Sequence, residues 1–133
     1  IIILVKNKKK DIFKEIIKIF AYLRSKNGCP WDKAQTIDSL KKDLLSETKE
    51  VLKAINNKDI ENLKEELGDV MWVVFLICQI TKEKGYFDIY DVLKYSKKKV
   101  IKRHPHVFGN MKATTPKESL KIFNAMKKKY SKT

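Results

Sequence analysis

Cysteine, glycine, proline and arginine are all scarce in this chain, and each scarcity removes a class of protein. Two cysteines in 133 residues, Cys29 and Cys78, are too few and too far apart for a disulfide framework or a four-ligand zinc site. Four glycines leave no room for a glycine-rich phosphate loop or a dinucleotide fingerprint, and neither motif occurs. Three prolines punctuate so sparsely that long uninterrupted elements are expected. The longest apolar run, Val70 to Cys78, falls well short of the roughly 20 residues of a membrane-spanning helix. Ile1 to Val5 has no charged stretch before it and no small-residue cleavage site after it, so it does not read as a signal peptide. The expectation is a cytoplasmic protein with reduced thiols and no membrane contact.

Negative charge is also in short supply. Against 30 Lys plus Arg stand 16 Asp plus Glu, a formal net charge of +14. Such an excess is the electrostatic footprint of nucleic-acid binders, but here it is lysine spread along every segment, which reads first as solvated surface. Nucleic acid is therefore the less favoured partner. Only Arg24 and Arg103 are arginine, the side chain whose planar fork grips phosphate best.

The chain has the length of one domain and, at 43% apolar residues, enough to bury a core. Its apolar residues recur at helical spacing nearly throughout, which predicts an all-α fold. Residues 1–10 read as a remnant or linker from an upstream segment, and 11–133 as the folded domain. Helices are expected from about Asp11 to Ser25, from a cap at Thr36 or Asp38 to about Asn57, and from a cap at Asp59 to about Lys84, where Gly85 ends the element. Two more are expected, from Asp88 to before Pro105 and from Thr115 to about Lys129. Gly28-Cys29-Pro30 and His104-Pro105-His106 read as non-helical breaks. Leu40, Leu44, Val51 and Ile55 form the expected core stripe of the second helix.

The third predicted helix is apolar all the way round from Leu67 to Ile80, with Met71, Trp72 and Phe75 in directions an amphipathic helix gives to water. Such a helix is expected to be buried on every side. That is more apolar surface than one small bundle covers, so a homodimer is expected.

Carboxylates intrude on this helix. Glu66 and Asp69, three residues apart, share one helix face at the edge of the apolar run. On the second helix Glu47 and Glu50 repeat the spacing at the margin of the core stripe. A short turn at Asn56 to Lys58 makes the two helices antiparallel neighbours, so all four carboxylates can face one groove. They would repel one another there unless cations met them. Nearby lysines are one answer. A hard divalent cation is the other, magnesium, manganese or calcium by the oxygen-only donor set. Glu61, Glu65 and Glu83 read as solvated. No Glu-x-x-His occurs, which excludes a di-iron bundle, and no Ser or Cys has a positioned base. Hydrolysis of a phosphate chain by a metal-activated water is the chemistry left.

Four motifs in order, Gly28-Cys29-Pro30-Trp31-Asp32 with Gln35-Thr36, then Leu44 to Leu52, then Glu65-Glu66-Leu67-Gly68-Asp69, then Arg103-His104-Pro105-His106-Val107-Phe108-Gly109, resemble the MazG family of nucleoside triphosphate pyrophosphohydrolases. The resemblance implies a helical bundle completed by dimerisation and magnesium-dependent cleavage of NTPs or dNTPs to monophosphate and pyrophosphate, with manganese as a substitute ion. It implies metal-binding and catalytic roles for Glu47, Glu50, Glu66 and Asp69. It implies phosphate contacts from Lys99, Lys102 and Arg103, and nucleotide contacts from Phe123 and Lys127, where the family often has Trp and Lys. Trp31 either anchors its segment or shapes the pocket. Ser46 stands where the family has a further glutamate, which touches a second metal or a catalytic base rather than the main site. The resemblance also allows a fused upstream domain. Two alternatives follow: an inactive or regulatory copy of the domain, motivated by Ser46 and Phe123, and a basic helical module that binds nucleic acid or a protein.

Overall fold

The computed structural model describes residues 12–131. The apolar segment Ile1 to Val5 and the lysines after it lie outside the described residues, as does Asp11. Seven helices and no strand are present among the described residues: α1 (Ile12–Leu23), α2 (Pro30–Ala34), α3 (Lys41–Asn56), α4 (Ile60–Glu83), α5 (Ile89–Lys102), α6 (Pro105–Phe108) and α7 (Pro116–Lys129). The chain, read from its length as one domain, divides into two compact units that meet between Ile89 and Tyr90.

In the first unit α4 is the central element, with α3 and α1 packed against it. Its start is set by Asp59, whose carboxylate accepts the Asn62 N–H at 3.1 Å and so satisfies one of the amides a helix start leaves open. Its end is set by Gly85 at φ +73°, a left-handed conformation that costs glycine nothing. The turn between α3 and α4 closes when Lys58 adopts φ +53° and the Asp59 N–H reaches back to the Ala54 carbonyl at 3.1 Å, which folds α4 back along α3.

Phe20, Val73, Phe75, Leu76, Cys78 and Ile80 are buried in this unit. The Phe20 and Phe75 rings are parallel with centroids 6.0 Å apart, and Phe20 meets Trp72 edge-on at 6.2 Å. Each fully buried ring or Leu contributes about 1.5–3 kcal/mol of transfer free energy.

The expected core stripe of α3 is off by one residue at its end. Ala54 is 0% exposed, whereas Ile55 is 52% exposed, because a small side chain lets α3 and α4 approach closely just before the turn. The expectation that α4 is buried on every side is not met within one chain. Leu67, Met71 and Trp72 are about half exposed, at 49%, 47% and 51%, while the buried residues of the helix lie further along it, from Val73 to Thr81. Gly68 lies in the half-exposed stretch, and apart from its chain neighbours and the backbone of its own helix no described atom stands within 4 Å of where its Cβ would be.

Two expected breaks are short helices. Pro30 and Pro105 each occupy the first turn of a helix, where the missing N–H has no partner to lose and the fixed φ favours the turn. Before α3, Thr36 and Ser39 exchange hydrogen bonds, the Ser39 N–H donating to the Thr36 hydroxyl at 3.0 Å and the Thr36 N–H to the Ser39 hydroxyl at 2.9 Å. Thr36 thus caps a turn that runs into α3, which itself begins five residues later at Lys41.

In the second unit α6 packs on α7. α7 opens on Thr115, whose hydroxyl accepts the Glu118 N–H at 3.2 Å, with Pro116 in the first turn.

Candidate functional site

Among the described residues, each unit carries a chemically distinctive hollow. In the first unit, α3 presents Glu47 and α4 presents Glu66 and Asp69, and one oxygen from each lies within 4.8 Å of the other two. All three are partly buried. Partial burial, followed by the charges of Asp69, Glu50 and Asp43, raises the Glu47 carboxyl above its ordinary value. The same causes, burial first and then Asp69, Glu47 and Glu50, raise Glu66.

Among the described residues none of Glu47, Glu50, Glu66 and Asp69 is ion-paired; Arg24–Glu83, Lys41–Asp38 and Lys64–Glu61 are pairs of other carboxylates. Lysines therefore do not relieve the repulsion in the described residues, although basic residues outnumber acidic ones almost two to one. The donor set is all oxygen, convergent and uncompensated, which fits a hard divalent cation. Glu50, expected as a fourth member, is exposed and stands outside the group of three, close enough for its charge to raise both neighbours.

The carboxylates border a hollow of about 300 Å³, lined by Glu47 and Asp69 together with Trp31, Asp43, Trp72 and the apolar side chains Leu40, Val73 and Leu76. Trp31 is half exposed and faces this space, whereas Asp32 beside it is 5% exposed. The buried member of the Cys-Pro-Trp-Asp segment is thus the aspartate. Arg24 fixes that segment by donating to the backbone carbonyls of Asp32 and Gln35.

Asp43 was not singled out by the sequence reading. The signal available was its position four residues before Glu47, one turn away on the same helix face.

The second unit has a basic hollow of about 500 Å³, lined by Lys98, Lys99, Lys102, Arg103 and Lys127 with the rings of Tyr95 and Tyr130. The Lys102 ammonium lies 4.8 Å from the Tyr130 ring centre, and that of Lys99 lies 5.7 Å from Tyr95. These rings attract the lysine ammonium groups by cation–π interaction, and the sequence analysis did not single them out. Lys99, Lys102, Arg103 and Lys127 are brought together as expected. Phe123 is not among the lining residues; its ring takes the Arg103 guanidinium at 5.6 Å and the His104 edge at 5.6 Å. The Arg103 Nε is buried with no hydrogen-bond partner among the described residues. Five cations around one hollow suit a chain of phosphate oxygens.

Comparison with known proteins gives these features a lineage. Residues 35–108 match the family model of the MazG nucleotide pyrophosphohydrolase domain. The chain is 43% identical over 123 residues to the nucleoside triphosphate pyrophosphohydrolase/pyrophosphatase MazG of Thermotoga maritima, covering 91% of this chain and 48% of that protein. It is 39% identical over 113 residues to the nucleoside triphosphate pyrophosphohydrolase of Escherichia coli, covering 84% of this chain and 43% of that one. The chain thus spans about half or less of the curated relatives it matches. A MazG-related protein of Thermotoga maritima known from its crystal structure superposes with a TM-score of 0.69 at 30% identity, over 89% of this chain and 98% of that one. The matched span includes the carboxylates of α3 and α4 and the cations at the end of α5, and on this ground the chain belongs to the MazG nucleotide pyrophosphohydrolase domain family.

Proposed function

We propose that this chain hydrolyses nucleoside triphosphates, ribo or deoxy, to the monophosphate and pyrophosphate, with magnesium or manganese held by Glu47, Glu66 and Asp69 and with Glu50 beside them. The observation that carries the reading is the convergence of three carboxylates within 4.8 Å with no cation against them among the described residues. When bound, the ion supplies Lewis acidity toward phosphate oxygens and lowers the pKa of water.

The protein's own groups do the rest. Lys99 and Arg103 donate N–H bonds to phosphate oxygens and offset the charge that grows on the departing pyrophosphate. Lys102 and Lys127 add to the same positive field. We also propose that the active form is a homodimer, in which a second copy covers the half-exposed Leu67 and Met71 of α4. Nucleoside triphosphates are intracellular, so the reading carries a cytoplasmic setting with it.

The test is phosphate release from a panel of NTPs and dNTPs in the presence of inorganic pyrophosphatase, with and without magnesium, alongside Glu66→Gln and Asp69→Asn. Magnesium-dependent release that both substitutions abolish supports the reading. A folded protein that is silent across the panel yet binds nucleotide would instead be an inactive copy, with Ser46 and Phe123 as the first residues to restore to Glu and Trp.

A further inference from the structure

A guanidinium that is to meet phosphate has to be held in place without spending its charge. Arg24 is the opposite case, with its donors committed to the Glu83 carboxylate and to the Asp32 and Gln35 carbonyls. Arg103, which lines the basic hollow, lies instead against the Phe123 ring, 5.6 Å from its centre. Cation–π attraction steadies a guanidinium through a ring face and leaves its N–H groups and charge for an anion. The Arg103 Nε is buried, so the terminal nitrogens are the end that the hollow receives.

Such a ring must itself be held, and His104 meets it at 5.6 Å with the two planes 61° apart. Residues next to each other on a helix point about 100° apart. Arg103 and His104 reach one ring because α5 ends at Lys102, just before them. His104 is fixed at that junction by backbone and side chain together. Its N–H donates to the Ile101 carbonyl at 3.2 Å, and its carbonyl accepts the Val107 and Phe108 amides at 3.0 and 2.9 Å. The amide that a continuing helix would give to Val100 is thus turned away, and the His104 ring takes its place, with Nδ1 2.6 Å from the Val100 carbonyl. A carbonyl only accepts, so Nδ1 carries the proton. His106 packs on the same imidazole at 5.4 Å.

We infer that His104 is a positioning residue for Arg103: its imidazole, oriented by the Val100 carbonyl, holds the Phe123 ring, and that ring holds the guanidinium where phosphate oxygens meet it. The inference rests on the triphosphate reading above, in which His104 touches neither substrate nor metal. All four residues belong to the second unit. The experiment is a double-mutant cycle on the full chain, with wild type, His104→Ala, Arg103→Ala and the double variant titrated calorimetrically with inorganic pyrophosphate in EDTA, which keeps metal out of the measurement. Arg103→Ala is expected to weaken binding about tenfold. His104→Ala should weaken it about three- to tenfold in wild type and by less than about twofold once Arg103 is gone, since a residue that acts through another has nothing left to position. His104→Asn keeps an N–H donor for Val100 without the ring; it should melt like wild type and bind pyrophosphate as weakly as His104→Ala. KM for triphosphate should repeat the pattern.

A role in folding alone would give the same factor for His104→Ala with and without Arg103, and that result would overturn the inference. So would a His104→Asn protein that binds like wild type, or a wild type that binds no pyrophosphate. Equal factors beside magnesium-dependent turnover would remove His104 and leave the hydrolase reading standing. Coupled factors with no turnover of any triphosphate would keep His104 in its place and sink the hydrolase.

Discussion

Arg24 and Glu83, 59 residues apart, are joined by a forked ion pair, with the guanidinium Nε 2.9 Å from one carboxylate oxygen and a terminal nitrogen 2.9 Å from the other. The same guanidinium donates to the Asp32 and Gln35 carbonyls. One side chain therefore ties the stretch after α1 and the region of α2 to the end of α4. The two arginines of this sequence have divided labour: Arg24 is spent inside the protein and Arg103 lines the basic hollow.

Replacing Arg24 should be costly for stability. Arg24→Lys keeps the charge but loses the fork and at least one carbonyl contact, and is expected to destabilise by about 1–3 kcal/mol. Urea unfolding of the two proteins measures it, and an unchanged midpoint would mean that the fork adds nothing beyond charge.

The pair also sets an acid response. The hydrogen bond from Arg24 is the largest influence on Glu83 and, with Gln79 assisting, holds its carboxyl below the ordinary 4.5. A lowered carboxylate stabilises the fold fully above its unfolded value and loses that contribution as pH falls through the lower folded value. Between pH 5 and pH 3, wild type should lose more stability than Glu83→Gln, since the variant has no proton to gain there. Melting curves across that range decide it; parallel losses in the two proteins would remove Glu83 from the account. Because Glu83 is partly exposed, salt should shrink the difference.

Magnesium should stabilise the folded chain, since an ion that binds only the native carboxylates raises stability by mass action. Asp69→Asn should raise the melting temperature without metal, by removing one of the mutually repelling charges, and should shrink the magnesium-induced shift. Thermal scans with magnesium and with EDTA read both effects. A magnesium shift undiminished in Asp69→Asn would put the ion elsewhere.

Arg103→Ala is expected to raise KM for triphosphate by roughly tenfold or more, the loss of one charge-assisted contact, with little change in melting temperature. Phe123→Leu should act in the same direction and more weakly, because it removes the ring that holds the guanidinium without removing the charge. Steady-state kinetics in the coupled assay test the pair, and a Phe123→Leu effect larger than that of Arg103→Ala would give the ring a direct role.

Met71→Lys should convert a dimer to a monomer on gel filtration with light scattering. A charge in the centre of an apolar contact is expensive, whereas on a surface open to water it is tolerated. A wild-type monomer at tens of micromolar would remove the homodimer.

Much of the fold was legible because local chemistry and tertiary structure agree. Asp59 and Thr115 cap where a side-chain oxygen precedes a helical run, and Gly85 ends α4 where a left-handed residue is needed. The misreadings have a common physical origin in neighbours that a local pattern does not contain. Pro30 and Pro105 look like breakers until the elements around them supply a place for one short helical turn. Ile55 looks like core until the close approach of α3 and α4 at Ala54 turns it outward. The α4 apolar girdle was read correctly as a pattern, but a single chain covers only part of it. At the site, the spacing of Glu47, Glu66 and Asp69 was visible, since carboxylates at the margin of an apolar stripe violate its period. Asp43 was not, because an aspartate in a helix's first turn already has an ordinary explanation in the helix dipole.

The empty space around Gly68 has a further consequence, because it makes that residue a gauge of assembly. In a solitary chain, Gly68→Ala trades a flexible backbone for a helix-favouring one with nothing in the way, a gain of roughly 0.5–1 kcal/mol. Against a closely seated second copy the same methyl group is an obstruction. The sign of one small stability change, followed as protein concentration is raised, therefore tells whether that flank of α4 faces water or protein.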